Sequence, residues 1–157
     1  MTKKMTKKKL KEYVHDKDRH NMNISGEALD VLVGMEKEKA EKIADQAAKI
    51  AKSVNRKTIQ RPHVDIVISL LDYVHHKPNN DRDKVTKKAL KERAHDKEGL
   101  GMNISLKALE MLSGMEESRA YKVLDEAGAL AKSIKRKTIK DTQVQTIQEV
   151  LNFFESS

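Results

Sequence analysis

Four residues of this chain, Arg56-Lys57-Thr58-Ile59, set two cations beside a hydroxyl, and the same four return as Arg136-Lys137-Thr138-Ile139. A cationic loop of this kind could serve a polyanionic partner. Taken once, such a stretch reads as a solvated turn after a helix, where cations also suit the C-terminal dipole. Its recurrence at the same register argues for more. Further cations cluster at Lys3, Lys4, Lys7, Lys8, Lys9 and Lys11, and at Lys87, Lys88 and Lys91; runs of this kind are most often solubilising faces. Catalysis has no comparable footing. The chain has no cysteine, no glycine-rich phosphate loop and no Ser–His–Asp arrangement that sequence can support. The recurring His15 and His95 and the adjacent His75 and His76 find no further ligand at a metal-binding spacing, so neither metal, cofactor nor small-molecule substrate is expected. Met22, Met35, Met102, Met111 and Met115 read as flexible core filler.

Composition narrows the class. Charged residues make up 36% and aromatics 3% of the 157 residues, with no Trp and two Pro, which suits a helical protein with a thin aliphatic core. The formal charge of +8 favours polyanionic partners such as nucleic acid or acidic membrane without choosing between them. Residues 1–80 carry 17 basic and 11 acidic groups (+6), against 15 and 13 (+2) in residues 81–157, so any grip on a polyanion should be lopsided. The absence of cysteine fits a reducing cytoplasm. The basic start of the chain precedes no apolar stretch of signal-peptide length, and no run approaches the roughly 20 apolar residues of a membrane span. A soluble, non-secreted protein is the expectation.

The cationic motifs belong to a duplication. Shifted by 80 positions, residues 6–71 align with 86–151 without a gap, and about 32 positions are identical. Met22-Asn23-Ile24-Ser25 returns as Met102-Asn103-Ile104-Ser105. Each copy reads as short helix, loop, long helix, loop, short helix. The first helix, over 4–17, carries Leu10, Tyr13 and Val14 at helical spacing, and its copy uses Leu90 and Ala94. Ser25 and Ser105 are good N-caps for the long helix of each copy. From Ala28 a stripe runs through Leu32, Met35, Ala40, Ile43, Ala47, Ile50 or Ala51 and Val54, and again through Leu112, Met115, Ala120, Val123, Ala127, Leu130 and Ile134. At ~1.5 Å rise per residue such a helix is about 45 Å long, more than two short helices can cover. It needs a partner, and the other copy supplies one, so two long helices are expected to cross in a shared core. The last helix should start at Pro62, with Val64, Val67, Ile68 and Leu71 buried, and its copy buries Val144, Ile147, Val150 and Leu151. This divides the chain into a first unit over 1–75, a linker over 76–83 and a second unit over 84–157.

The short–long–short order, with Arg-Lys-Thr-Ile closing the long helix, resembles the histone fold of archaeal and bacterial histones, twice over, and the Met-Asn-Ile-Ser loop looks more like bacterial members. The resemblance implies an all-α doublet, an intramolecular handshake of two histone folds whose convex edge binds double-stranded DNA by its backbone. Carried over by position, Lys57 and Lys137 contact phosphate, Arg56 and Arg136 brace the loop, and Thr58 and Thr138 tie it to the first loop of the other unit. Backbone amides near Ile24 and Ile104 add neutral contacts. The first helices, with Lys7, Lys8, Lys9, Lys11, Lys87, Lys88 and Lys91, supply the middle of the surface. Three departures stand out. Asn23 and Asn103 occupy positions where many archaeal members place an arginine for the minor groove. His63 and Gln143 replace the aspartate that usually partners the bracing arginine. Ser53 and Ser133 stand where a histidine commonly joins pairs into longer assemblies, so self-association into larger assemblies and wrapping of DNA do not follow from the resemblance alone.

The function expected is sequence-independent binding and compaction of duplex DNA by a nucleoid-associated cytoplasmic protein. The alternative is a histone-fold interaction module in a regulatory or replication complex that touches DNA little, supported by the acidic third helix of the second copy and the absent loop arginine. RNA binding has less support, because no aromatic platform or RNA-binding motif is visible.

Overall fold

Thr6 opens the first helix by accepting the amide of Lys9 at 3.2 Å, and α1 runs Lys7–His15, shorter at both ends than the sequence pattern suggests. In this computed structural model, which describes residues 3–77 and 83–157, the chain forms two compact units, one ending at Ile68 and one beginning at Ser69. The centre of the expected linker, residues 78–82, lies outside the described residues.

In the first unit α1 is followed by β1 (Asn23–Ile24), α2 (Gly26–Leu32), α3 (Lys37–Ser53), β2 (Thr58–Ile59) and the start of α4 (Arg61–His75). Leu10 and Val14 bury one face of α1, and Tyr13 beside them reaches across to Asp45 with its hydroxyl, at 2.8 Å. Ser25 caps α2 as expected, accepting the amide of Ala28 at 3.2 Å. The expected long helix is broken. Gly34, at φ +87°, takes a left-handed conformation that an L side chain adopts only at a cost, and it ends the α2 run. Glu36 then starts α3 afresh by accepting the amides of Glu38 and Lys39. The apolar stripe survives the break: Leu32, Ala40, Ile43, Ala47, Ile50 and Ala51 are fully buried, while Met35 and Val54 are half-buried.

The break decides which loops meet. Because α3 turns back on α2, β2 returns beside β1 of its own copy, and the two pair in parallel with Asn23 opposite Thr58 and Ile24 opposite Ile59. A parallel pair needs a long crossover, and the α2–turn–α3 segment is that crossover. The expectation that Thr58 ties its loop to the other copy is therefore corrected: its partner strand is in the same copy.

The second unit takes the rest of α4 and repeats the order as α5 (Lys87–His95), β3 (Asn103–Ile104), α6 (Leu106–Leu112), α7 (Glu117–Ser133), β4 (Thr138–Ile139) and α8 (Asp141–Ser156). Gly114 at φ +85° breaks the long helix again, and Asn103 pairs with Thr138, so the same correction holds for Thr138. Val144, Ile147, Val150 and Leu151 are buried as expected, whereas in α4 Leu70 and Ile66 are buried and Ile68 and Leu71 are only half so. Polar groups knit α4 to α7 and α8. Lys122 donates to the Ser69 hydroxyl, which donates to Glu126 at 3.1 Å, and Lys77 and Arg119 both hold Glu155, each at 2.6 Å. Burial pushes the Glu126 carboxyl above its ordinary range, against the pull of Lys122.

One contact records how the copies diverged. Leu100 stands where the first copy has His20, and Gly128 where it has Ala48. A Cβ at 128 would lie 2.7 Å from Leu100 Cδ2, so the larger side chain occupies the space that the missing methyl leaves. In the first copy His20 instead sits 2.7 Å from Asp45, in a cluster with Tyr13 and Arg19. Burial and then the hydrogen bond to Asp45 hold the Tyr13 phenol well above its usual range.

Candidate nucleic-acid interface

Each strand pair fixes a cationic loop. After α3, Asn55 adopts φ +60° and the Arg56 amide turns back to the carbonyl of Ala51 at 2.9 Å, which reverses the chain and presents Arg56 and Lys57 to solvent. Lys57 then offers its carbonyl to the amide of Asn23 at 3.0 Å, and Ile59 accepts from Ser25 at 2.9 Å. The second copy repeats this with Asn103 to Lys137 and Ser105 to Ile139, both at 2.9 Å, and with Lys135 in the left-handed region where Asn55 stood. Arg56, Lys57 and Thr58 are thus brought together with Asn23 and Ile24, and Arg136, Lys137 and Thr138 with Asn103 and Ile104. Among the described residues no ion pair or side-chain hydrogen bond holds Arg56, Lys57, Arg136 or Lys137. Of the amides near Ile24 and Ile104, those of Asn23, Ser25, Asn103 and Ser105 are committed to the strand pairs.

The lysines of the first helices lie at graded distances from the loops along α1 and α5. The end of α1 adjoins β1, where Met22 donates to the carbonyl of Val14 at 3.1 Å, but Lys7 is seven residues back, roughly 10 Å along the axis. Lys7, Lys8, Lys9, Lys11, Lys87, Lys88 and Lys91 are all exposed, and Lys7 pairs with Asp30 of α2 at 3.3 Å. An exposed pair of this kind contributes little and releases readily to a stronger anion. Among the described residues no His, Asp and Glu cluster could hold a metal ion, and no helix is long and apolar enough to cross a membrane.

Each cationic loop therefore rests on a strand pair within its own copy. Residues 7–68 match the family model of histone-like transcription factor (CBF/NF-Y) and archaeal histone. By the register of the duplication, the corresponding residues of the second copy are 87–148. No curated protein and no solved structure gives a significant match.

His63, within the matched segment, and Gln143, its counterpart in the second copy, have a structural task that sequence reading missed. His63 is buried, and its Nδ1 accepts the amide of Gln60 at 3.0 Å; Gln143 does the same for Lys140 at 2.9 Å. Both satisfy an otherwise orphaned donor at the start of the last helix, a task that a spacing of three residues signals. Burial, and then the Arg56 charge, lower the pKa of His63 from the ordinary 6.5. The unfolded chain therefore takes up the proton first as pH falls. Stability from this site is whole above about 6.5, declines below it, and levels off beneath the folded value. His63→Gln, which copies the second unit, should flatten that loss: between pH 7.5 and 5 the melting temperature of the wild type should fall further than that of the variant. Parallel curves would contradict this account of His63.

Proposed function

We propose that the chain binds double-stranded DNA through its phosphate backbone without reading sequence, and compacts it as a nucleoid-associated architectural protein. The observation that carries this reading is the twofold recurrence of a rigidly held loop whose two cations have no partner within the described protein. Two such loops on one chain make binding bivalent, so modest grips combine into a useful affinity. The intramolecular handshake of the copies belongs to the same proposal, and the gapless duplication that joins two such units in one chain supports it. Lysine contacts release counterions, so log K should fall linearly with log salt, with one slope for unrelated duplexes. Fluorescence anisotropy on several duplexes across a salt series tests this. A strong preference for one sequence, or no binding at low salt, would overturn it.

A second reading, a histone-fold interaction module with little DNA contact, is favoured by two large apolar side chains left at the surface of the second copy, Leu106 at 63% and Phe153 at 36% exposure. Protein partners that stay bound after nuclease treatment, together with absent duplex binding, would select it.

A further inference from the structure

The two large apolar side chains exposed among the described residues differ in the charge around them. Phe153 lies on α8, which carries Asp141, Glu149 and Glu155 and no lysine or arginine. Leu106, at 63% exposure, lies in an open groove between α5 and α6, lined by Lys87, Lys88, Lys91, Glu92, His95 and Leu109. On its other side Leu106 follows Ser105, whose amide donates at 2.9 Å to the carbonyl of Ile139, two residues past Lys137. The leucine therefore stands between the lysines of α5 and the Arg136–Lys137 loop, all within the second unit. The first copy supplies the comparison. Lys7, Lys8, Lys11, Glu12 and His15 repeat the polar lining residue for residue, but Gly26 stands where the second copy has Leu106, and Lys9 where it has Ala89. The second copy has thus lost a cation and gained an apolar side chain that its own fold leaves largely uncovered.

We propose that Leu106 is a wedge that enters the minor groove of duplex DNA and unstacks a base step, at the second copy only; this rests on the DNA reading above. Two phosphate backbones border a minor groove about 6 Å wide. Cations on both sides of an apolar side chain can seat on those backbones while the side chain faces the bases between them, and a leucine placed so unstacks a step and kinks the duplex. Phe153 has no such cations on its helix and does not fit this role. The copies then divide the work. The first grips by charge and weakens as salt rises, whereas the wedge contributes by burying apolar surface, which counterions do not screen.

Duplexes of repeated TA steps, which unstack readily, test this when 2-aminopurine replaces several adenines, because its fluorescence rises on unstacking. Three full chains are compared: the wild type, Leu106→Gly, which copies the first unit, and Gly26→Leu, for which there is room because a Cβ at 26 meets nothing within 4 Å. Both positions are exposed, so both variants should keep the fold. The wild type should raise the fluorescence, and Gly26→Leu should raise it further. Leu106→Gly should lose most of the rise and bind about tenfold more weakly at every salt concentration, the part of a leucine's burial that remains after the step is unstacked. The slope of log K against log salt should not change, which separates the wedge from a lysine on phosphate. Sedimentation without DNA should give the wild type and Leu106→Gly the same mass. Duplex binding with no fluorescence rise, a rise that persists in Leu106→Gly, or no added rise in Gly26→Leu overturns the wedge and leaves the DNA reading standing. A mass that falls in Leu106→Gly gives the leucine to a contact between chains and likewise overturns it. A wild type that binds no duplex at low salt removes the DNA reading, and the wedge with it.

Discussion

Lys57→Glu combined with Lys137→Glu should lower affinity for every duplex by the same factor, about a hundredfold near 0.1 M salt. The size follows from counterion release. Each lysine on phosphate contributes about 0.9 to the slope of log K against log salt, so removing two lowers the slope by roughly 1.8, and reversed charge adds repulsion. Because phosphate contacts carry no sequence information, the loss should not depend on the duplex used. The variant should stay folded, since both side chains are exposed and only the Lys57 and Lys137 carbonyls enter the strand pairs. Anisotropy titrations at three salt concentrations measure slope and affinity together. Unchanged affinity in a folded double variant would exclude the loops as contacts, and a loss confined to one duplex would point to base reading.

The second large effect lies in the core. Leu10→Ala and Leu90→Ala, at side chains with no exposure, should each cost about 2–5 kcal/mol. For a domain stabilised by roughly 5–15 kcal/mol, either substitution moves the unfolding midpoint far, and the pair together leaves little folded protein. Lys11→Ala, one position along the same helix but exposed, should stay within about 0.5 kcal/mol. Urea melts followed by circular dichroism separate these outcomes. Equal midpoints for Leu10→Ala and Lys11→Ala would mean that α1 is not packed as described.

The two copies anchor that first helix differently, which the sequence hints at only faintly. In the first copy Val14 and the Tyr13–Asp45 bond hold α1. In the second, Ala94 buries less, and Arg93 compensates with two bonds to Asp125, at 2.9 and 2.7 Å, while stacking over Tyr121. Tyr13 and Arg93 are 80 positions apart, and so are Asp45 and Asp125, so the duplication brought the polar partner to the same place while the donor changed. Periodicity exposed the helices, the buried stripe and the serine caps, because each depends on neighbours within one or two turns. It did not expose the break, since Leu32, Met35 and Ala40 keep helical spacing across it. Gly34 was the readable warning, a residue of poor helix propensity inside a strong helical pattern. The choice of strand partner was not readable at all, because Asn23 and Thr58 meet across 35 positions by way of a turn closed by backbone bonds to residues elsewhere in the chain.

The space shared by Leu100 and Gly128 bears on how the duplicated halves can change from here. Recombination between the halves that kept Leu100 but imported alanine at 128 would force a methyl into the leucine, while importing histidine opposite Gly128 would leave a gap. Either crossover product starts with a packing defect its parents lack. The halves are thereby discouraged from being rewritten into copies of one another, and each is left to drift toward its own specialisation.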